Sequence, residues 1–210
     1  MADWPESVPE PVALGVVLAA GSGRRMGQAK ALLDWGGVPL VVWQARSLIS
    51  GGCERVLVVT GAEHAAVESA LEGLSGVAAL YNPDHRSGRS TSVRAAALAA
   101  AGSDPAILCN VDQPLCRELV ALLLGAARAS PEALVVCPEV AGRRIHPVLF
   151  RSELYPELAA ADEQSLGLRA VVSANSDRLL AVAADPAWAP PHFNYPEEYE
   201  AARAARFGRR

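Results

Sequence analysis

Residues 12–30 read VALGVVLAAGSGRRMGQAK, an apolar run that passes into a glycine-rich turn and closes on Lys30. The run at 12–19 is apolar throughout, which is typical of a parallel strand covered by helices on both faces. The turn holds three glycines and two arginines, and Lys30 is the only lysine in the chain. Because an ammonium is a compact point charge, a lone lysine beside this turn indicates a phosphate site.

Strand-like and helix-like stretches alternate along the rest of the chain. Apolar, β-branched runs predict strands at 12–19, 55–60, 77–81, 106–109 and 133–137. Amphipathic stretches between them predict helices at 39–50, 63–73, 91–101 and 115–129. This order predicts an α/β fold with a doubly wound, mostly parallel sheet. The rest is less regular, and we expect a strand at 143–150, helices at 153–161 and 165–174, a strand at 178–183 and a helix from 196.

Length and composition bound the protein class. With 210 residues, 51% hydrophobic and 20% charged, the chain predicts one globular domain over 12–206 after a disordered tail at 1–11. A net charge of -4 argues against a nucleic-acid partner, and no apolar run could span a membrane. The four cysteines lack metal-binding spacing, so we expect free thiols. Without a signal-peptide pattern, we expect a cytoplasmic protein.

Four polar or glycine-containing segments follow the first four predicted strands. They are the 21–30 turn, Thr60 with Gly61, the 82–84 segment and the 110–114 segment. Since ligands of open α/β sheets bind beyond the carboxyl ends of the strands, these segments should converge on one crevice. Their convergence is stronger support for a binding site than any single motif.

The glycine turn does not match the best-known nucleotide motifs. Its spacing is G-x-G-x-x-x-G, one residue longer than the dinucleotide fingerprint, and no Gly-Lys-Ser/Thr follows for a Walker loop. Its backbone N–H groups can form an anion nest, with Arg24, Arg25 and Lys30 adding positive charge. A purely structural turn would explain the glycines but not these three basic residues.

Asp112 comes directly after an apolar strand and is a candidate magnesium ligand. Magnesium needs one or two carboxylates in addition to substrate phosphate oxygens. The alternative is that Asp112 caps the following helix. The segment 82–92 opens a helix and carries hydroxyls suited to an anion, although capping by Ser90 or Thr91 would explain part of it. His146 follows two arginines, which suggests a second anionic group there.

These segments together resemble the MobA-like nucleotidyltransferases, and within them the molybdenum cofactor cytidylyltransferases most closely. The 18–30 stretch is similar to the family's L-A-A-G-x-x-x-R-M-G-x-x-K loop. Further matches, in the expected order, are Val59-Thr60-Gly61, Asn82-Pro83-Asp84 with Gly88, Asp112-Gln113-Pro114, His146-Pro147 and the 194–199 segment. The resemblance covers nearly all of 12–205 and implies a single Rossmann-like nucleotidyltransferase domain.

The resemblance also implies roles for particular residues. Catalysis would rest on Lys30, Arg25 and Asp112, with Mg²⁺ held by Asp112 and Asn194. The nucleotide would be bound by Leu18, Ala19, Ala20, Gly21, Gly23, Arg25, Lys30, Gly61 and Asn82. The phosphorylated acceptor, a pterin cofactor, would contact Gly88, Ser90, Thr91, Ser92 and His146. Ala20 favours CTP over GTP, and a molybdoenzyme or its chaperone is implied as a further partner.

The sequence departs from the family pattern in ways that keep other functions open. Val111 and Ile145 replace glycines, and His192 and Asn194 stand where close relatives carry aspartates. A larger residue than glycine leaves less room for a ligand against the backbone. The acceptor could therefore be a sugar 1-phosphate or another small phosphomonoester. A nucleotide-binding protein without catalysis is a third hypothesis, and an NAD-dependent oxidoreductase is the weakest because its glycine spacing is wrong.

Overall fold

The computed structural model describes residues 12–21, 23, 26–162 and 167–208. The tail predicted at 1–11 lies outside these residues. Within these residues, the strands are β1 (Val12–Leu18), β2 (Asp34–Trp35), β3 (Val38–Pro39), β4 (Arg55–Thr60), β5 (Val77–Tyr81), β6 (Ser103–Asn110), β7 (Val135–Val140), β8 (Arg143–Arg144), β9 (Val148–Phe150) and β10 (Leu179–Ala183). The α-helices are α1 (Leu40–Ser50), α2 (His64–Leu71), α3 (Arg89–Ala99), α4 (Arg117–Ala129), α5 (Tyr155–Ala160), α6 (Leu168–Ala174) and α7 (Pro196–Phe207).

One mixed sheet organises the fold, with the strand order β10-β7-β9-β6-β1-β4-β5 and β8 paired to β7. Strand β1 pairs in parallel with β4 and β6, β4 with β5, and β7 with β10. Within this sheet and the described residues, only β8 and β9 run antiparallel to their neighbours. The predicted α/β class with a mostly parallel sheet in a single domain is confirmed.

Strand β1 shows why the sheet is covered on both faces. Val16 and Val17 are both fully buried, yet they belong to two different core clusters. Val17 packs with buried residues of α1, α2 and α4, whereas Val16 packs with residues of α3, α5 and α6. Side chains alternate between the faces of a strand, so an apolar run without alternation needs a helical layer on each side.

The second half of the fold differs from the prediction. The strand predicted at 143–150 is two strands, because Ile145, His146 and Pro147 leave the ladder between β8 and β9. Proline has no N–H to donate to a sheet neighbour, which favours an interruption there. Strand β9 then inserts antiparallel between β6 and β7, and the β2–β3 hairpin was not predicted at all.

The remaining sequence-level expectations concern the cysteines and the membrane. All four cysteines are free, as predicted; Cys53, Cys109 and Cys137 are buried and Cys116 is partly buried. Burial raises the pKa of the Cys53 thiol to about 12. Among the helices described, none is long and apolar enough to cross a bilayer.

Candidate active site

A cleft of about 520 Å³ opens at the carboxyl ends of β1 and β6. The predicted residues that line it are Leu18, Ala20, Gly21, Gly23, Lys30, Gly88, Ser92 and Asn194. Val111 also lines it, as do His85, Arg86 and Arg89, which were not among the predicted site residues. The segments after β1 and β6 therefore share one cleft, as the strand-end argument predicts, whereas Thr60, Gly61 and the 82–84 segment are not among the residues that line it.

The glycine turn is closed by its own backbone. Gly23 has φ of +60°, and a Cβ at this position would lie 2.0 Å from the Gln28 carbonyl oxygen, so only glycine fits. The Met26 N–H donates to the Gly23 carbonyl at 2.8 Å, and the buried Met26 side chain anchors the turn. Arg25, predicted to bind phosphate, lies outside the described residues.

Ala19 and Gly61 have structural contacts at the entrance of the turn. The Ala19 N–H donates to the Val59 carbonyl at 2.8 Å, so this amide already has a partner. A Cβ on Gly61 would lie 2.4 Å from the Ala20 carbonyl oxygen. Glycine at 61 therefore lets the segment after β4 pack directly against the segment after β1. Neither residue is among those that line the cleft, and their nucleotide contacts stay a prediction.

Lys30 lies at the centre of the polar network in this cleft. Its ammonium donates to Asp112 Oδ2 at 2.8 Å, to the Phe193 carbonyl at 2.9 Å and to Asn194 Oδ1 at 2.9 Å. An ammonium has three donors, so all of them are engaged. The Lys30 and Asp112 side chains are 17% and 18% exposed, which leaves both within reach of a ligand.

Asp112 lies in the turn between β6 and α4, and it does not cap the helix. Helix α4 begins at Arg117 with Cys116 in the capping position, well after Asp112. This excludes the capping alternative and leaves the carboxylate directed at Lys30. His192 Nε2 lies 3.7 Å from Asp112 Oδ2, so the side chain that replaces a family aspartate also faces this carboxylate.

The oxygens around Lys30 Nζ also suit a magnesium ion. A carboxylate, an amide oxygen and a backbone carbonyl converge on one cationic centre, and magnesium prefers such hard oxygen ligands. Over the described ranges, no group of three or more His, Cys, Asp and Glu side chains could hold a metal. A metal here would accordingly need substrate phosphate oxygens, as is usual for magnesium.

Asn194 is positioned by an aromatic cluster that the sequence did not reveal. The fully buried Phe193 stacks on Trp35, with ring centroids 5.7 Å apart, and meets Tyr199 edge-on at 5.4 Å. The Asn194 N–H donates to Glu198 Oε2 at 2.7 Å. Packing between the segment after Lys30 and helix α7 thus fixes the Phe193 carbonyl and the Asn194 side chain beside Lys30.

Asn82 is a structural centre of the 82–92 segment. It is buried, and its Nδ2 donates to the Thr91 and Ser92 hydroxyls at 2.9 and 3.0 Å. Its Oδ1 accepts the Asp84 N–H at 3.0 Å. These bonds use both the nitrogen and the oxygen of the amide, so Asn82 shapes the turn. Its predicted contact with the nucleotide stays a prediction.

Helix α3 begins beside the cleft without a side-chain cap. Gly88, with φ of +122°, occupies the capping position, so capping by Ser90 or Thr91 is wrong. The Thr91 hydroxyl donates to the Gly88 carbonyl at 2.8 Å. Ser90 and Ser92 are buried, and of the predicted acceptor residues here only Gly88 and Ser92 line the cleft.

His146 lies in a second cavity of about 340 Å³, which is also lined by Arg144, Ile145, Arg169 and apolar side chains. Within the described part of the chain, its Nδ1 is buried without a hydrogen-bond partner. Burial, followed by the charge of Arg89, lowers the pKa of His146 to about 4. The imidazole is therefore neutral near pH 7, and the positive charge at this cavity comes from the two arginines.

The comparison with known families agrees with this geometry. Residues 15–186 match the model of the MobA-like NTP transferase domain. The chain belongs to that family. The resemblance predicted from the sequence motifs is confirmed, and this MobA-like domain has the fold and enzyme class of the nucleotidyltransferases.

Individual relatives of this MobA-like protein carry different names. It is 34% identical over 166 residues to nicotine blue oxidoreductase of Paenarthrobacter nicotinovorans, covering 76% of this chain and 80% of the relative. It is 29% identical to molybdenum cofactor cytidylyltransferase of Escherichia coli over 47% of this chain and 50% of the relative. Its fold is similar to that of Rv0371c from Mycobacterium tuberculosis in complex with manganese, with a TM-score of 0.68, 21% identity, and 92% and 99% coverage.

Proposed function

We propose that the protein transfers a cytidylyl group from CTP to the phosphate of a molybdopterin-type pterin, with Mg²⁺, and releases pyrophosphate. The observation that carries the proposal is the convergence of Asp112, Asn194 and Lys30 beside the glycine turn. The similarity to a molybdenum cofactor cytidylyltransferase supports the acceptor, and Ala20 in the first loop supports CTP.

The proposed reaction needs no general base. An acceptor phosphate oxygen is already anionic, and it would attack the α-phosphorus of CTP while the bond from this phosphorus to the β-phosphate oxygen breaks. The electron pair leaves with pyrophosphate. Such reactions depend on positioning and on neutralising charge on the phosphate oxygens. In this proposal, backbone N–H groups of the glycine turn would bind the phosphates and Lys30 would supply a positive charge.

Asp112 and Asn194 would hold the metal in this proposal. Mg²⁺ bound there would withdraw charge from the phosphate oxygens of the nucleotide. Lys30 now donates to both of these ligands, so it must exchange at least part of this bonding for phosphate oxygens when the substrates bind. Its flexible side chain permits such a rearrangement.

Asp112→Asn tests the metal role. A catalytic metal supplies several kcal/mol of transition-state stabilisation, so we expect turnover to fall by about a thousandfold or more. Asp177→Asn changes an exposed aspartate in a turn between α6 and β10 and should leave turnover unchanged. Wild-type turnover in a folded Asp112→Asn variant would show that Asp112 binds no catalytic metal.

Thermal unfolding with Mg²⁺ and each of CTP, GTP, UTP and ATP tests the nucleotide, with NAD as a control. A ligand at about a hundred times its Kd adds roughly 2.7 kcal/mol to the free energy of unfolding. We expect the largest rise in Tm with CTP, and its loss in Asp112→Asn. A rise with GTP or UTP instead would overturn the choice of base. Pyrophosphate release with pterin phosphates and sugar 1-phosphates would then identify the acceptor class.

A second candidate function is oxidoreduction of a dye-like aromatic substrate. The observation that favours it is the 34% identity to nicotine blue oxidoreductase, which extends over 76% of this chain. Anaerobic mixing with NADH or NADPH and a reducible dye, followed by absorbance, separates the two candidates. Hydride consumption without pyrophosphate release from any nucleotide would support this second function.

A further inference from the structure

A buried amide lies behind the proposed metal ligand. Gln44 is on helix α1, and no part of its side chain is exposed. Burying an amide is unfavourable unless its donors and acceptor find hydrogen-bond partners. The partners of Gln44 therefore show what this polar side chain holds in place.

Among the described residues, the three hydrogen bonds of the Gln44 side chain go to the backbone around Asp112. Its Nε2 donates to the carbonyls of Asn110 at 2.7 Å and Gln113 at 2.9 Å. Its Oε1 accepts the Leu115 N–H at 2.9 Å. Asn110 lies before Asp112 in the chain, and the other two residues lie after it. Gln44 thus ties both sides of the 110–115 turn to one helix.

The neighbouring side chains on α1 act on one end of the turn only. Ser47 Oγ and Trp43 Nε1 both donate to the Leu115 carbonyl, at 3.0 and 2.8 Å. Within the turn, Asn110 Nδ2 donates to Gln113 Oε1 at 2.8 Å, so the two carbonyls bound by Gln44 are also linked through their own side chains. Ser47 is therefore a matched control, since it shares the helix and the turn but not the bonds on both sides of Asp112.

We infer that Gln44 is a positioning residue, which holds the 110–115 turn so that the Asp112 carboxylate meets Asn194 at the cation site. The metal role of this carboxylate rests on the proposed function, whereas the order of the turn does not. Partners that orient metal ligands in this way change metal affinity by about 10- to 100-fold when they are removed.

The test compares Gln44→Met, which keeps the length of the side chain and removes its polar atoms, with Ser47→Ala. Mn²⁺ binding in the presence of a non-hydrolysable CTP analogue is followed by water-proton relaxation. We expect Gln44→Met to raise the Kd for Mn²⁺ by about 10- to 100-fold and Ser47→Ala to leave it within about twofold. Asp112→Asn gives the Kd for Mn²⁺ when no carboxylate is present at position 112.

Amide hydrogen exchange of the metal-free protein measures the order of the 110–115 turn directly. In Gln44→Met, amides in the 110–115 turn should exchange faster, and those in β1 should keep the wild-type rate at matched stability. In the wild type, the Leu115 amide should be among the slowly exchanging ones, because its partner is the buried Gln44 Oε1. That second measurement applies even where Gln44→Met does not fold.

The outcomes separate this inference from the proposed function. A folded Gln44→Met with wild-type turn exchange and wild-type Mn²⁺ affinity overturns the inference, as does fast exchange of the Leu115 amide in the wild type. Equal Mn²⁺ binding by the wild type and Asp112→Asn overturns the metal role of Asp112 instead. In that case faster exchange of the turn in Gln44→Met still supports Gln44 as the residue that orders it.

Discussion

The polar groups around Lys30 and those around His146 differ in how completely they are paired. Lys30 uses all three donors within the protein, on Asp112, Asn194 and a backbone carbonyl. His146, in contrast, keeps a buried Nδ1 without a hydrogen-bond partner among the described residues, beside a cavity with two arginines at its wall. The Lys30 region is a closed network, in which every donor of the ammonium is paired. The His146 region contains a buried nitrogen without a hydrogen-bond partner in the part of the chain that the structure describes.

This difference indicates how each part of the proposed site is prepared for its ligand. A buried polar atom without a hydrogen-bond partner destabilises the protein. A ligand that hydrogen-bonds to His146 Nδ1 would therefore bind more tightly, because it removes this penalty. A fully bonded network holds its geometry in advance, but it must exchange bonds when a ligand binds. We therefore expect the Lys30 region to control turnover and the His146 region to control the affinity for the acceptor.

Lys30→Met removes the centre of the closed network, and it should have a larger effect on turnover than changes at His146 or Arg169. Loss of a charge that stabilises the transition state costs on the order of a hundred- to a thousandfold in turnover. The same change removes the cation that occupies Asp112 and Asn194, so Mn²⁺ should bind the nucleotide-free variant more tightly than the wild type. Turnover assays and Mn²⁺ titration measure the two effects. Weaker Mn²⁺ binding in the variant would show that Lys30 does not compete for these oxygens.

His146→Gln tests, through the pH dependence of stability, whether the buried His146 is neutral. The native pKa of about 4 lies below the ordinary value of 6.5, so between these values the unfolded state binds more protons and stability falls as pH falls. The contribution is present above pH 6.5, and its loss towards pH 4 amounts to about 3 kcal/mol at most. Urea unfolding at pH 7 and 4.5 should show a smaller difference in the variant than in the wild type. Equal differences would contradict a buried, neutral His146.

Arg169→Ala should have the smallest effect, confined to the acceptor. One hydrogen bond to a charged group is worth about 1.5–3 kcal/mol, and partial exposure reduces this, so we expect the KM of the acceptor to rise roughly tenfold. The KM for CTP should not change. Arg128→Ala, an exposed arginine on α4, is the control. An unchanged acceptor KM would remove Arg169 from the acceptor site, and a raised KM for CTP would place it on the nucleotide instead.

The first half of the fold was predictable because its signals are local. Apolar strands such as β1 and the helices between them follow from periodicity, and the observed bounds of β4 and β5 are those predicted. The strand predicted at 143–150 was too long, because residues 145–147, which include Pro147, leave the ladder between β8 and β9. The antiparallel insertion of β9 depends on pairing with β6 and β7, which no local pattern encodes.

The candidate site was likewise predictable only in part. Lys30, Asp112 and Asn194 were predicted individually from the glycine turn, the strand end and the family motifs, yet their shared hydrogen bonds were not. Gln44 carries no signal in the sequence, because it looks like one polar residue in an amphipathic helix. His85, Arg86 and Arg89 were not predicted as site residues, because only the folded turn brings them to the cleft.

The α/β class and the glycine turn follow from periodicity and spacing along the chain, and the family was indicated by the resemblance of its motifs. Which side chains meet depends on the tertiary structure. Asp112 and Asn194 are 82 positions apart in the sequence, and they share one ammonium because β6 ends and α7 begins beside Lys30. Such contacts arise from packing between distant segments, and packing depends on the shape of the whole core.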